Sequence, residues 1–378
     1  MNHPRSEILP DPQLIYLNHA AVGPWPKCTR DAVTQFAQEN WQMGASEYPK
    51  WLVKEREIRQ LAARLINAPS SDDIALLKNT SEALSVVAYG IDWKPGDNIV
   101  SCDQEFPSNR IVWESLADQG VELRLASLDG DNSPEAAIFE RVDEHTRLIT
   151  ISSVQYASGI KLDIEKIGNF CQSHNILFCL DAIQSIGAIP LDVQACHADF
   201  VMADGHKWML GPEGIAIFYS RPAARDQLKL SQFGWHMINN PGDFDQQGWQ
   251  VSKSAQRFEC GSPNMLGIHA LHASLNYLLD KGMDTIGEQV RQNCDFLFEA
   301  ISRLNGINRV IPEAAERRAG IITFFPTDKD PEQLYRQLKQ ANIICANRGG
   351  GVRFSPHFYH SRDELEQAVN TLDQLLST

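Results

Sequence analysis

From about residue 60 to residue 220 the chain repeats one alternation: a short apolar run rich in β-branched residues, then a stretch whose apolar positions return every three or four residues. "DNIVSCD", "VELRLASL", "RLITISSVQ", "NILFCLDAIQ", "DFVMADG" and "GIAIFYS" have the length and composition of strands. "SEALSVVAYGI", "SNRIVWESLADQG", "PEAAIFERVDEH" and "DIEKIGNFCQSH" carry an apolar stripe and a polar outer face, the pattern of helices packed on one side. Strand and helix in alternation imply crossover connections, so the pattern predicts an α/β fold with a mostly parallel sheet.

After "RFECGSPN" the rhythm changes. It is helical from about residue 264 to 304. Then "GIITFFP", "QLYRQLKQAN", "NIICANRGGGVRFSP" and "RDELEQAVNTLDQLLS" read as strand, helix, hairpin and helix. The expected division is a large α/β domain over 15–265 and a small α+β domain over 266–378, with the segment 1–14 packing near the small domain. No repeat, low-complexity tract or long linker interrupts it.

Ligands of open α/β sheets gather at the carboxyl ends of the strands. Two chemically capable residues fall there: Asp181 follows "NILFCL", and Lys207 follows "DFVMADG". A desolvated lysine has a lowered pKa and becomes a nucleophilic amine that forms Schiff bases with aldehydes. Pyridoxal phosphate uses such a lysine, with a carboxylate opposite its ring nitrogen. The same two residues also allow a purely structural ion pair. "LLKNTSEALSVVAYG" enters a helix with Thr80 and Ser81 in its first turn, where free N–H groups and the helix dipole suit a phosphate. Thr or Ser ahead of Glu82 is equally an ordinary capping box.

Composition narrows the partners. At 378 residues, 43% hydrophobic and 22% charged, the chain is globular and larger than one ordinary core. A formal net charge of -14 argues against nucleic acid or an anionic membrane as partner. No apolar run is long enough for a membrane span, and "MNHPRSEILPDPQ" is too polar for a secretory leader, so the expected location is the cytoplasm. The eight cysteines form no CxxC pair and no zinc-like cluster with histidine. They are expected to be reduced and mostly buried, and no metal site is predicted. No nucleotide-binding glycine motif follows a strand.

"DAIQSIGAIPLDV" followed by "DGHKWMLGPEGIAIFY", with "YLNHAAVGP", "NTSEAL" and "EFPSNRIVW" upstream and "RFECGSPN" and "VRFSPHFYHS" downstream, resembles the class V aminotransferase family over nearly the whole chain. Within it the chain is most similar to the branch of cysteine desulfurases, selenocysteine lyases and isopenicillin N epimerase-like enzymes. The resemblance implies a fold type I homodimer with shared active sites, a large domain built on a mostly parallel seven-stranded sheet, and a small amino acid as substrate. It implies that Lys207 holds pyridoxal phosphate as a Schiff base and that Asp181 pairs with the pyridine nitrogen. By the same match Gln184 bonds the phenolic oxygen, and His206, Thr80 and Ser81 hold the phosphate. Ser262 matches a hydroxyl residue that reaches the phosphate of the other subunit's cofactor. Arg353 matches the clamp on the substrate α-carboxylate, with Arg348 on the opposite limb of the hairpin as the fallback.

The departures from the family pattern also carry expectations. Phe106 stands where desulfurases have a histidine over the ring; it can stack but cannot exchange protons, which leaves acid–base work to Lys207. "ANRGGGVR" is too short for a loop with a nucleophilic cysteine, so a persulfide relay is not expected, and Cys345 is expected to be packed. Asp204 replaces a phosphate-binding serine and should repel the phosphate unless turned away or hydrogen-bonded. Tyr156 replaces an asparagine, to bond the cofactor's oxygen or face the substrate. Asn18 and His19 are candidates for recognising the substrate side chain. Elimination of a β-substituent leads among the reactions; transamination and epimerisation stay open, as does a non-catalytic binding protein of the same fold.

Overall fold

The computed structural model describes residues 4–130, 132–245 and 247–377. Its centre is a seven-stranded sheet formed by β1 (Ile74–Leu77), β2 (Asn98–Cys102), β3 (Glu122–Ala126), β4 (Thr146–Ser152), β5 (Leu177–Asp181), β6 (Phe200–Asp204) and β7 (Ala216–Ser220). The order across it is β1-β7-β6-β5-β4-β2-β3, and β7 alone runs against its neighbours. Asp181 ends β5 and Asp204 ends β6, so the two carboxylates and the loop carrying Lys207 share one edge.

The inner strands read as largely apolar runs because the sheet is covered on both faces there, whereas the edge strand β3 alternates and leaves Glu122 and Leu125 exposed. Phe178, Leu180, Val201 and Ala203 belong to one core; their neighbours Cys179, Phe200 and Met202 belong to the other. The first core is closed by α2 (Tyr48–Leu65), α5 (Ile164–His174) and α6 (Met265–Lys281). The second is closed by α3 (Thr80–Gly90) and α4 (Ser108–Glu114). Helix α1 (Lys27–Met43) lies against α6 and buries only Thr29. Helices α1 and α2 precede the alternating region and are not among the elements its pattern picks out.

The helical stretch after residue 264 is broken at Gly282, whose φ of 83° suits glycine, into α6 and α7 (Met283–Ser302). Along this pair the core changes: Leu275, Leu278, Ile286 and Val290 pack under the large sheet, whereas Cys294, Leu297 and Ile301 pack under a second sheet. The change of core therefore lies inside α7, beyond residue 265. The second sheet contains β8 (Ile307–Ile311), β9 (Ile322–Pro326), β10 (Ala346–Arg348) and β11 (Gly351–Phe354), antiparallel in the order β10-β11-β9-β8, covered by α8 (Pro331–Gln340) and α9 (Arg362–Ser377). Strands β10 and β11 are joined by Gly349 and Gly350, both at positive φ, as a two-residue hairpin turn requires.

The N-terminal segment divides between the two cores. Ile8 and Leu9 pack with the large one, while Ile15 and Leu17 pack with the small one, where Ile15–Tyr16 pairs with Ile343–Ile344. Residues 1–3 of this segment and Thr378 of the small domain lie outside the described residues. Among the described residues no helix is long and apolar enough to cross a membrane.

Candidate active site

A cavity of about 250 Å³ opens at the carboxyl edge of the large sheet. Its wall brings together Thr80, Ser81, Phe106, Tyr156, Asp181, Gln184, His206, Lys207 and Arg353, and adds Ser108, Asp204, Glu213 and Arg348. Larger clefts of about 500 and 570 Å³ exist elsewhere, but neither holds Lys207 or Asp181. The chemistry of the wall, not its size, singles this cavity out.

Lys207 is 8% exposed. Its loop is pressed from outside by the N-terminal segment: Gly23 N donates to His206 O at 2.7 Å, and a Cβ on Gly23 would lie 2.2 Å from Lys207 O, so only glycine fits. No hydrogen bond or ion pair among the described residues engages Nζ, which stands 5.6 Å from the centre of the Phe106 ring. Burial lowers the pKa of this amine; Asp181 opposes the shift and Arg353 reinforces it. The structural ion pair that sequence left open is absent, since no Lys207–Asp181 contact falls within salt-bridge distance. Asp181 is buried, accepts the N–H of Ile183 at 3.0 Å, and has its pKa raised by that burial, with Glu105 adding to it.

Gln184 is held from two sides. Its Nε2 donates to Ala20 O at 3.0 Å and its Oε1 accepts from Trp208 Nε1 at 2.8 Å, which fixes the amide and leaves one N–H uncommitted. Trp208 carries no signal of this role beyond its place next to Lys207.

Opposite Phe106, the first turn of α3 meets the end of β6. Asn79 Oδ1 accepts from Glu82 N at 2.8 Å. Thr80 N donates to Asp204 Oδ1 at 3.1 Å, and Asp204 N donates back to Thr80 Oγ1 at 3.2 Å. The carboxylate is thus hydrogen-bonded, the second of the two conditions sequence set for it. Burial raises Asp204 to about 7, and burial with the Lys207 charge lowers His206 to about 4, so the imidazole is neutral. His206 Nδ1 is buried without a hydrogen-bond partner. Ser81 Oγ donates to Ser108 Oγ at 2.8 Å, and Ser108 lies in the already distinctive "EFPSNR".

At the other end of the cavity, Arg353 on β11 is buried and donates from Nη1 to Tyr156 O at 2.5 Å, while its Nε has no partner. Burial and the charge of Arg348 lower it to about 10, still cationic at neutral pH. Arg353 faces Ala346 across the hairpin and Arg348 faces Gly351, so the two guanidinium groups share one face of the small sheet. Tyr156 meets Phe106 edge to face, with centroids 5.1 Å apart.

Three expected residues are not on this wall. Ser262 is exposed on a separate cleft with Lys78, Gly214 and Asn264. Asn18 is half-buried behind Ala20 and Ala21, which line the cavity in its place. His19 is fully buried, with Nδ1 on Ser355 O at 2.9 Å and Nε2 on the Tyr359 hydroxyl at 2.8 Å. Both ring nitrogens are spent on the segment that follows β11, so His19 has none to offer a substrate. Cys345 is buried and its thiol is pushed up to about 12.

The model of the aminotransferase class-V family matches residues 15–367. A probable cysteine desulfurase of Methanothermobacter thermautotrophicus is 30% identical over 96% of this chain and 94% of its own. An uncharacterised aminotransferase of Bacillus subtilis is 28% identical over 82% of this chain and 80% of its own. The solved apo structure of a cysteine desulfurase from Thermococcus onnurineus superposes with a TM-score of 0.89 at 25% identity, covering 100% of this chain and 99% of that one.

Proposed function

The chain belongs to the class V aminotransferase family, enzymes of fold type I that work with pyridoxal phosphate, and from that premise we propose that it cleaves the β-substituent from a small amino acid without a cysteine relay. The observation that carries this reading is an unpaired, buried lysine amine at the sheet edge with a buried carboxylate on the neighbouring strand. The donor set fits the cofactor: an amine for its aldehyde, Asp181 for its ring nitrogen, the remaining Gln184 N–H for its ring oxygen, and the Ser81 and Ser108 hydroxyls with the orphan His206 nitrogen for its phosphate. When bound, pyridoxal phosphate supplies an electron sink for the pair left behind when a bond at the substrate Cα breaks.

The chain's own residues do the rest. Arg353 presents a guanidinium whose Nε is free, and a substrate carboxylate there gains two parallel hydrogen bonds that fix its Cα. Lys207 Nζ, with its lowered pKa, is the base that takes the Cα proton, since Phe106 has no proton to exchange and His206 belongs to the phosphate end. Phe106 and Tyr156 form an aromatic wall along one side of the cavity. The high pKa and burial of Cys345 support a reaction that releases the leaving group instead of storing sulfur on the protein.

The reading includes a homodimer in which Ser262 completes the partner's site. The exposed aromatics Phe233, Trp235, Phe244 and Trp249, in the segment leading to Ser262, support it, because apolar surface of this kind marks interfaces.

A single-turnover screen of amino acids with a β leaving group tests the reaction. Pyruvate and ammonia in equal amounts are expected. Alanine with sulfur left on a protein thiol, or a pyridoxamine form of the cofactor, defeats the elimination reading and selects desulfuration or transamination.

A further inference from the structure

We propose that Asp204 binds the cofactor's phosphate as a carboxylic acid, its Oδ1 accepting the Thr80 N–H while its Oδ2 carries a proton that it donates to a phosphate oxygen. The proposal rests on the cofactor reading above and adds a ligand to it.

The N-terminus of α3 is the starting point. Its N–H groups should await an anion, yet Glu82 N is taken by Asn79 and Thr80 N by Asp204; among the described residues only Ser81 N is left. A carboxylate already occupies a donor that a phosphate would use. The backbone beneath it is held at the same turn, its own N–H donating to Thr80 Oγ1. The second oxygen, Oδ2, lies 3.6 Å from His206 Nδ1, and both side chains line the cavity. That separation is too long for a hydrogen bond, and His206 Nδ1 is buried with no other partner. A third polar atom within reach of both would satisfy them.

An ionised Asp204 there repels a phosphate dianion, whereas its acid form donates to it. The groups around it favour the acid. Lys207 and His206 share its loop, Glu213 stands on the turn before β7, and Asp181 ends the adjacent strand. Behind the helix start, Lys78 is paired with Glu82 at 3.5 Å. Lys207 is the cation whose charge acts on Asp204, and the cofactor engages it; Arg348 and Arg353 line the same wall at its other end. Burial, reinforced by Glu213, already holds the free acid near 7, and a bound anion raises it further. The linkage sign follows: below about 7 the acid is already protonated and affinity is full, whereas above it binding must take up a proton at Oδ2 and affinity falls as pH rises.

The probe is pyridoxine 5′-phosphate, which has the ring and phosphate but an alcohol in place of the aldehyde, so no covalent bond to Lys207 contributes. It is titrated calorimetrically into the full chain stripped of cofactor, at several pH values between about 6 and 9, for wild type, Asp204→Asn and Asp204→Ser. Each substitution keeps an acceptor for Thr80 N and removes the titrating proton. The phosphate's own ionisation is common to all three proteins and cancels in the comparison. Wild-type affinity is expected to fall relative to the variants by up to about tenfold per pH unit in the alkaline range, with wild type taking up one proton more than either variant there. Parallel pH curves, or variants that bind no better at alkaline pH, overturn the proposal and leave the cofactor reading standing. No binding by any of the three at any pH overturns both.

Discussion

Two regions of this molecule bury charge, and they treat it in opposite ways. Between α2 and the segment before α6, Arg59 Nη2 lies 2.8 Å from Glu55 and 2.6 Å from Glu259, while His236 Nε2 lies 3.3 Å from Glu55. Glu259 also accepts the N–H of Leu76 on β1, at 2.8 Å. Glu55, His236 and Glu259 converge as cation ligands would, and the guanidinium of Arg59 takes that place. In the cavity, by contrast, Lys207, Arg353 and Asp181 are as deeply buried, yet no ion pair joins them. Burial alone thus does not mark a reactive site. Burial without a partner does, because the cost of the charge then appears as a shifted pKa instead of a salt bridge.

Breaking the contrast at its reactive pole gives the largest effect. Lys207→Ala should reduce turnover by at least about 10³-fold, measured as product release, while thermal unfolding of the cofactor-free protein stays unchanged or rises slightly, since an unpaired buried amine is lost. At the paired pole the outcome reverses. Arg59→Met leaves two buried carboxylates with His236 alone to compensate them and should cost about 3–5 kcal/mol in urea unfolding, with turnover per folded molecule nearly intact.

A third variant sharpens the cavity itself. Arg353→Lys keeps the charge but loses the planar fork, and should raise KM for the amino acid about ten- to hundredfold with a smaller change in kcat. The smallest effect belongs to His236. Burial works against its charge, yet the Glu55 hydrogen bond and the Glu259 charge prevail and its pKa is raised. Its contribution to stability is therefore full below the ordinary value of about 6.5 and is lost as pH rises through the raised one. The stability gap between wild type and His236→Gln should narrow from acid to alkaline pH, by thermal melting.

The same contrast explains what sequence made legible. The six runs of the alternating region each overlap a strand of the large sheet; the inner ones are apolar because both faces are covered, whereas the edge strand β3 shows through the alternation of Glu122 and Arg124 with Leu123 and Leu125. Asp181 and Lys207 were readable because strand ends define the site edge. Helix α1 was not, since a helix that buries only Thr29 leaves little apolar stripe to detect. "SNRIVWESLADQG" and "PEAAIFERVDEH" were read too long: the helices stop at Glu114 and Phe139, where apolar spacing continues into irregular chain. The cysteines are free and mostly buried, as composition led one to expect, six of the eight being buried, Cys260 half-buried and Cys28 exposed. His19 and Trp208 show the limit at the site, because partners 336 or 24 positions away decide whether a ring packs or reacts.

The central claim is that the Lys207 amine carries the cofactor. Incubation with pyridoxal phosphate, reduction with borohydride and peptide mass spectrometry test it directly. The account predicts one phosphopyridoxyl group per chain, on the peptide containing Lys207. A reduced adduct on another lysine, with Lys207 unmodified, would contradict it.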